Sequence, residues 1–450
     1  MPARSIRDAS PTRTPSASDF SLQRVLGPAL FVAIMLFYVV SLTPFVDLSS
    51  ADTTDPSMSR SNVVNQIVFV AITVGLWCYA TQLPKGVRIY DNVVPVIMVL
   101  GWFLVGALLS DAPSTALKHV ILAGLTCVNA SIVLLLPRNE AQFSRLMVAC
   151  CLLALLLSYV GVTFLPHLAI HQASEVREPM NAGLWRGHFA HKNAASSTMV
   201  LFVFFGLYAY RLGQKLSGSL VVVLSLIFLF GSGGKSAIVS LPCILLLAFV
   251  CDKHRLLRVA IAVGGILLIN MVTIGSALSD RFQDLIGALG IDSSFTGRTD
   301  IWRIGIDAFL SRPVIGHGFQ GFWQSDAMVH SVGVGTSWAG AAFNGHNAYL
   351  DIALTTGAPG LVLTLLWLLV FPLFTLERAS ADANSAPLRR LFIQIWLFGM
   401  FSACLESIFF LSGSFLWVLM VMSVFGLYYQ GRARVVGGPA RPFAGASGAS

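Results

Sequence analysis

The stretch FSRLMVACCLLALLLSYVGVTFL, residues 143–165, holds a single charged side chain, Arg145, near its start. A helix needs about 17–25 mostly apolar residues to cross a bilayer core, so this stretch is long enough to span by itself. A backbone in lipid must satisfy its own hydrogen bonds, which makes such a run helical. Runs of the same character recur on both sides of it, near residues 25–43, 62–82, 93–109, 116–136, 194–210, 217–231, 236–251, 257–275, 354–376, 391–410 and 415–429. The expected fold class is therefore an all-α polytopic integral membrane protein with about 12 transmembrane helices. The expected organisation is a polar tail over residues 1–24, helices one to nine over 25–275 and a large outer loop over 276–353. Helices ten to twelve follow over 354–429, then a second tail over 430–450.

Composition agrees with this reading. The chain of 450 residues is 56% hydrophobic and 11% charged, with a mean hydropathy of +0.76. A soluble domain carries about 25% charged residues, so there are too few charges here to cover a globular surface. No small-residue cleavage site follows the first apolar run, Val25 to Thr43, which reads as a retained span. The seven cysteines all fall in or beside apolar runs, where neither a disulfide framework nor a zinc cluster is built. The net charge of +8 is spread over short loops without a dense basic stripe, so nucleic acid is not an expected partner.

Lysine and arginine placement orients the spans. With both termini in the cytoplasm, nineteen of the 29 basic residues lie inside, and every inner segment has at least two. Ten lie outside, and eight of these crowd into three outer segments, 166–193, 231–235 and 276–353. Such clusters run against the orientation rule and fit either an anionic ligand or pairing with Glu175, Glu178, Asp280 and Asp284.

Each outer segment offers candidate residues. Gly231-Ser232-Gly233-Gly234-Lys235-Ser236 is not a nucleotide phosphate loop, because Leu229 stands where the first glycine is needed. Its glycines precede a helix whose N-terminus favours an anion, and Lys235 adds a charge there. Arg186-Gly187-His188-Phe189-Ala190-His191-Lys192-Asn193 is dense in hydrogen-bond donors and fits a phosphate or sugar hydroxyls better than a metal, for which three spaced ligands are needed. Gly297 to Phe309 reads as a short amphipathic helix carrying Arg298, Asp300, Trp302 and Arg303. Trp323 and Trp338 suit either sugar faces or anchoring at headgroup depth. Asp351, about one turn beyond His346, is placed to fix the imidazole tautomer and raise its basicity. Glu406, in the apolar run 391–410, is either a functional membrane carboxylate or an outer-end residue bonded to Ser407 or Ser412.

Three of these stretches resemble one family. His346-Asn347, nine residues, Gly357, two residues and Gly360 looks like the signature of O-antigen ligases and Wzy-type polysaccharide polymerases. Gly297-Arg298-Thr299-Asp300-Ile301-Trp302, with Arg312-Pro313 and Gly316-His317-Gly318, resembles the same family's large periplasmic loop, and Gly187 to Asn193 its earlier loop. Together they are similar above all to exopolysaccharide polymerases of the ExoQ type. The resemblance implies a GT-C-like, metal-independent glycosyltransferase in the bacterial cytoplasmic membrane, without cofactors. It would pass a glycan from an undecaprenyl-diphosphate carrier to an acceptor sugar, alongside chain-length regulator and export proteins. It implies Arg186, Lys235 and Arg298 as diphosphate contacts and His346 as a catalytic residue. We carry Arg298 as catalytic too, and Lys192, Asp300, Trp302 and Arg303 as substrate-binding candidates. Lys235 replaces a common arginine, and lysine cannot make the bidentate phosphate fork.

These parts meet in one mechanism. A histidine, which ordinarily titrates at about 6.5, takes the acceptor proton, while fixed cations stabilise the departing diphosphate. Three functions compete: a polymerase, an O-antigen ligase acting on lipid A–core, and a transporter or flippase without chemistry. Transporters often have two similar halves, whereas here only the second half holds a large outer loop.

Overall fold

The computed structural model describes residues 17–49, 63–81, 93–175, 178–290, 293–295, 297–325, 328, 342–378 and 386–432. Among them the chain is helical, with one isolated antiparallel bridge between Ile170 and Trp185. Among the described residues a helix stands at each of the twelve runs. The first nine are α1 (Ala17–Val40), α2 (Val63–Thr81), α3 (Val94–Leu108), α4 (Pro113–Val133), α5 (Glu140–Phe164), α6 (Lys192–Arg211), α7 (Lys215–Ser232), α8 (Lys235–Lys253) and α9 (Leu257–Leu278). Two shorter helices follow, α10 (Asp280–Ala288) and α11 (Arg298–Ser311), and then α12 (Ala348–Glu377), α13 (Ala386–Ser402) and α14 (Phe415–Arg432). Eight of the helices are long and apolar enough to cross a membrane, and α1, α3 and α14 contain shorter apolar stretches. The protein is a multi-pass membrane protein.

The packing shows why. Large apolar side chains such as Ile67, Ile97, Leu156, Leu246 and Leu267 are exposed on the outer faces of their helices. In water each would cost about 1.5–3 kcal/mol relative to burial; against lipid tails that cost vanishes. The centre is formed by α6, α13 and α14, where Trp396, Trp417 and the α12 residue Trp367 are fully buried. Glycine sets the closest approach. A Cβ on Gly206 of α6 would stand 2.8 Å from the Gly218 carbonyl oxygen of α7, and one on Gly218 2.7 Å from the Gly206 carbonyl oxygen. Small residues let membrane helices meet backbone to backbone in this way.

Two boundaries differ from the sequence reading. The run 391–410 is helical only to Ser402, and residues 403–414 form turns with Ile408, Phe409 and Phe410 buried. Glu406 therefore does not lie inside a span. Conversely, α12 begins at Ala348, within the interval assigned to the outer loop. That helix is broken at Gly357, whose φ of 72° and ψ of 176° are non-helical. A break in a membrane helix needs other partners for its backbone, and residues 313–318 supply them. His317 N–H donates to Leu354 O at 3.0 Å, Gly318 N–H to Thr355 O at 3.0 Å, and Ala358 N–H to Pro313 O at 2.8 Å. A side chain at Gly357 would collide with Val314 O at 1.9 Å. The glycines of the signature thus serve this joint.

The two ends of the bundle are built differently. At one end Asp252 binds Arg389 at 2.9 Å and Arg390 at 2.8 Å, Glu377 binds Arg255 at 2.7 Å, and Tyr208 donates to Glu140 at 2.9 Å. The other end carries α10, α11 and the turns around 166–193, 231–235 and 403–414. Reporter fusions should assign the ends to compartments. Fusions after Arg258 and Arg390 are expected to report cytoplasm, and a fusion after Gly290 periplasm. The reverse pattern at 290 would invert the orientation and remove the outer-face chemistry developed below.

Candidate active site

Helix ends come together at the end of the bundle that carries α10 and α11. α13 stops at Ser402, and the carbonyls that follow receive donors from other elements. Ala348 N–H, at the start of α12, donates to Ala403 O at 2.8 Å. Asn347, fully buried, donates through Nδ2 to Cys404 O at 3.0 Å and to Asn270 Oδ1 of α9 at 2.8 Å. Its Oδ1 accepts from Leu350 N–H at 3.0 Å and so caps α12. Arg298, the first residue of α11, donates to Leu405 O at 2.5 Å. Carbonyls past a helix C-terminus lack partners in their own helix and attract cations. Three separate segments, the start of α12, α9 and α11, are thereby fixed around residues 403–406.

Glu406 is the hub. Its Oε1 accepts from Arg298 Nη2 at 3.1 Å and from Asn193 Nδ2 at 3.2 Å, and its Oε2 lies 3.3 Å from His346 Nδ1. The side chains of Arg298, Glu406 and His346 keep 19%, 29% and 31% exposure, so the cluster is accessible. Burial would raise the Glu406 carboxyl, but the Arg298 charge and the His346 hydrogen bond outweigh it and hold it at about 2. An ionised Glu406 can only accept. His346 Nδ1 therefore carries a proton, which in the neutral imidazole leaves Nε2 with a free lone pair.

The backbone at His346 is unusual. Its φ is 47°, in the left-handed region that non-glycine residues seldom occupy. The preceding Gly345 is clamped from two sides, its N–H on Asp351 Oδ1 at 3.0 Å and its carbonyl accepting from Trp302 Nε1 at 2.8 Å. A side chain on Gly345 would meet Asp351 Oδ1 at 2.5 Å. Asp351 also accepts from Trp323 Nε1 at 2.8 Å. The expected His346–Asp351 pair is thus corrected. Asp351 shapes the turn before His346, and the carboxylate at the imidazole is Glu406. Spacing along the helix brought Asp351 near, but its oxygens are taken by Gly345 and Trp323.

Lys192 and Lys235 complete the cluster. Lys192 begins α6; burial pushes its ammonium below the ordinary lysine value, Glu178 and Glu406 oppose this, and Lys235 and Arg298 push the same way as burial. Lys235 is exposed at the N-terminus of α8, after the left-handed Gly233 and the tightly packed Gly234, whose Cβ would stand 2.4 Å from Ser196. Among the described residues three cations, Lys192, Lys235 and Arg298, face two carboxylates, Glu178 and Glu406, which leaves a positive surplus of one charge. Arg298 donates through Nη1 to Leu405 O and through Nη2 to Glu406, and a guanidinium has five N–H groups in all.

The other candidates lie apart from this cluster. Trp302 is fully buried, so its indole is not offered to a sugar; it packs against Phe295 and holds Gly345. Arg303 donates to Ala277 O at 3.0 Å, binds Asp280 at 3.2 Å and lies 3.5 Å from Asp300, which ties α11 to the end of α9. Arg186 is 1% exposed and donates to Val46 O at 2.7 Å, while its Nε and Nη1 have no partner among the described residues. His188 is buried between Ser158 Oγ at 2.7 Å and Val39 O at 3.0 Å. Arg60, Arg177, Gly333, Gly335, Trp338 and Gly340 lie outside the described residues. Among the described residues no group of three or more His, Cys, Asp or Glu is arranged to hold a metal ion.

Comparison with known proteins places this geometry in a family context. Residues 220–365, which include Lys235, Arg298 and His346, match the family model described as O-Antigen ligase. A stretch of 118 residues is 33% identical to the "Exopolysaccharide production protein ExoQ" of Rhizobium meliloti (strain 1021). That stretch covers 25% of this chain and 25% of the relative. The resemblance to O-antigen ligases and Wzy-type polymerases, ExoQ included, therefore extends beyond the motifs that first carried it.

Proposed function

We propose that this chain is a membrane glycosyltransferase that polymerises undecaprenyl-diphosphate-linked oligosaccharide repeat units into exopolysaccharide at the periplasmic face of the cytoplasmic membrane. The observation that carries this reading is Glu406, ionised between Arg298 and His346, with the charge of Lys192 acting on it and that of Lys235 acting on Lys192. His346 Nε2 takes the proton of an acceptor hydroxyl. That oxygen forms a bond to the anomeric carbon as the bond from this carbon to the diphosphate oxygen breaks. The proton ends on the imidazole, whose positive charge Glu406 stabilises through Nδ1–H. The diphosphate leaves with its negative charge facing the lysines and the remaining N–H groups of Arg298. Fixed cations of this kind act where charge develops, without reorganising during the step, so the reaction needs no metal.

The description of the matching family model favours a second reading, an O-antigen ligase whose acceptor is lipid A–core. One experiment separates the two. Purified protein is given an undecaprenyl-diphosphate-linked repeat unit in excess chelator, with and without lipid A–core. A ladder of lengthened lipid-linked glycan without added acceptor is the expected result. Transfer that requires lipid A–core would establish the ligase instead. Activity lost to chelator and restored by a divalent ion would refute the cation-only mechanism, and no product under any condition would leave the transporter reading standing.

A further inference from the structure

The first N–H groups of a helix have no partner within it. At α6 they are held in an unusual way. Lys192 N–H donates to His171 Nε2 at 3.2 Å, and Asn193 N–H donates to His191 Nδ1 at 3.1 Å. A backbone N–H can only donate, so each of these ring nitrogens must present a lone pair. The proton of each neutral ring therefore sits on its other nitrogen, and in both cases that nitrogen faces a carboxylate. His171 Nδ1 lies 2.7 Å from Glu175 Oε2, and His191 Nε2 lies 2.7 Å from Glu178 Oε2. The two rings stand 5.2 Å apart, centroid to centroid. Glu175 is itself seated, since Gln172 N–H donates to its Oε1 at 3.1 Å.

We propose that His171 and His191 are paired positioning residues, each holding one N–H of the first turn of α6 through an imidazole lone pair, so that Lys192 and Asn193 are presented to Glu406 only while both rings are neutral. The link to transfer rests on the function proposed above. Protonating either ring would turn its acceptor into a donor facing a backbone N–H. The first turn would shift, and with it the 3.2 Å bond from Asn193 Nδ2 to Glu406 and the position of the Lys192 ammonium.

Among the described residues, the charged groups facing His171 are Glu175, His191 and Arg186; Glu178 faces His191, His171 and Lys192. Burial pushes His171 below the ordinary histidine value, Glu175 opposes this, and His191 and Arg186 push the same way as burial. Glu178 is held at about 2, chiefly by its hydrogen bond with His191, and stays ionised throughout the range considered. For a base whose folded value is lowered, the contribution of the neutral form is present above the unfolded value, about 6.5, and is lost as pH falls through the lower folded value.

The test is hydrogen exchange of the full-length protein in nanodiscs, read over peptides covering 186–196 and corrected for intrinsic rates at each pH. In the wild type the Lys192 and Asn193 amides should be protected at pH ~7.5 and lose about tenfold or more of that protection by pH ~5, tenfold being about 1.4 kcal/mol. His171→Gln places an amide oxygen near the reach of Nε2 and should keep the Lys192 amide protected at both pH values. His171→Asn reaches only the Nδ1 position and should lose it at both. Equal protection in these two variants, or wild-type protection unchanged with pH, overturns the proposal. Transfer by the same preparations is measured in parallel, and the acid loss of rate should shrink in His171→Gln. If its rate profile matches the wild type while exchange differs, the pair does not position the site. Expected exchange together with no transfer by wild type at any pH would instead count against the proposed function alone.

Discussion

His346→Gln is expected to lower single-turnover transfer by about 10²–10⁴-fold, the range a positioned general base contributes. Glutamine can donate and accept hydrogen bonds, but it cannot take the proton of the acceptor hydroxyl. Donor binding should change little, because Arg298, Lys192 and Lys235 remain. The fold needs a control, since position 346 has a φ of 47°. Asparagine tolerates the left-handed region better than most residues, so His346→Asn should retain the wild-type melting temperature and still fail in transfer. Wild-type-like single-turnover rates in His346→Gln would remove the imidazole as base and leave it a positioning residue. A loss seen only in the melting temperature would have the same consequence.

The bundle was legible in the sequence because membrane crossing is a matter of run length and hydropathy, and both are local. Twelve runs became twelve helices for that reason. Where a helix ends was less visible. The run 391–410 stays apolar beyond Ser402, yet the carbonyls of Ala403, Cys404 and Leu405 are taken by α12, Asn347 and Arg298, and such partners come from distant parts of the chain. The site was half legible for the same cause. Excess charge in outer segments pointed to Lys192, Lys235 and Arg298, which do gather at one end. The sequence pairs Asp351 with His346 because the two are close along the chain. The actual neighbour is sixty residues further on, and its only trace was a carboxylate in an apolar setting. Trp302 carried no sign of burial, since an indole in an amphipathic helix reads the same whether it faces a ligand or the Gly345 carbonyl. Asn193 stood out only as the last donor of the block from Arg186, and His171 left no signal at all; their roles follow from contacts across the turns.

Arg298→Ala should reduce transfer by more than the loss of one phosphate contact. A hydrogen bond to a charged group is worth about 1.5–3 kcal/mol, or roughly tenfold to a hundredfold in rate when it is made in the transition state. Arg298 also holds Leu405 O and Glu406, so its removal frees the carboxylate that orients His346. Glu406→Gln removes the charge with little change of shape. It should lower the rate by about tenfold or more, an effect of about 1.4 kcal/mol. Glu406 does not itself titrate in the working range. Held at about 2, it is ionised across any working pH, and its stabilising contribution is complete above the ordinary carboxyl value and lost only as pH falls toward 2. The two effects overlap, since part of the Arg298 contribution passes through Glu406. In a double-mutant cycle the loss in Arg298→Ala/Glu406→Gln should fall short of the product of the single losses by about 0.5–3 kcal/mol, the range for residues in contact. Simple multiplication of the losses would show that the two residues act independently. A double variant no worse than Glu406→Gln alone would show that Arg298 acts only by holding the carboxylate, and the diphosphate would then have to be bound by Lys192 and Lys235.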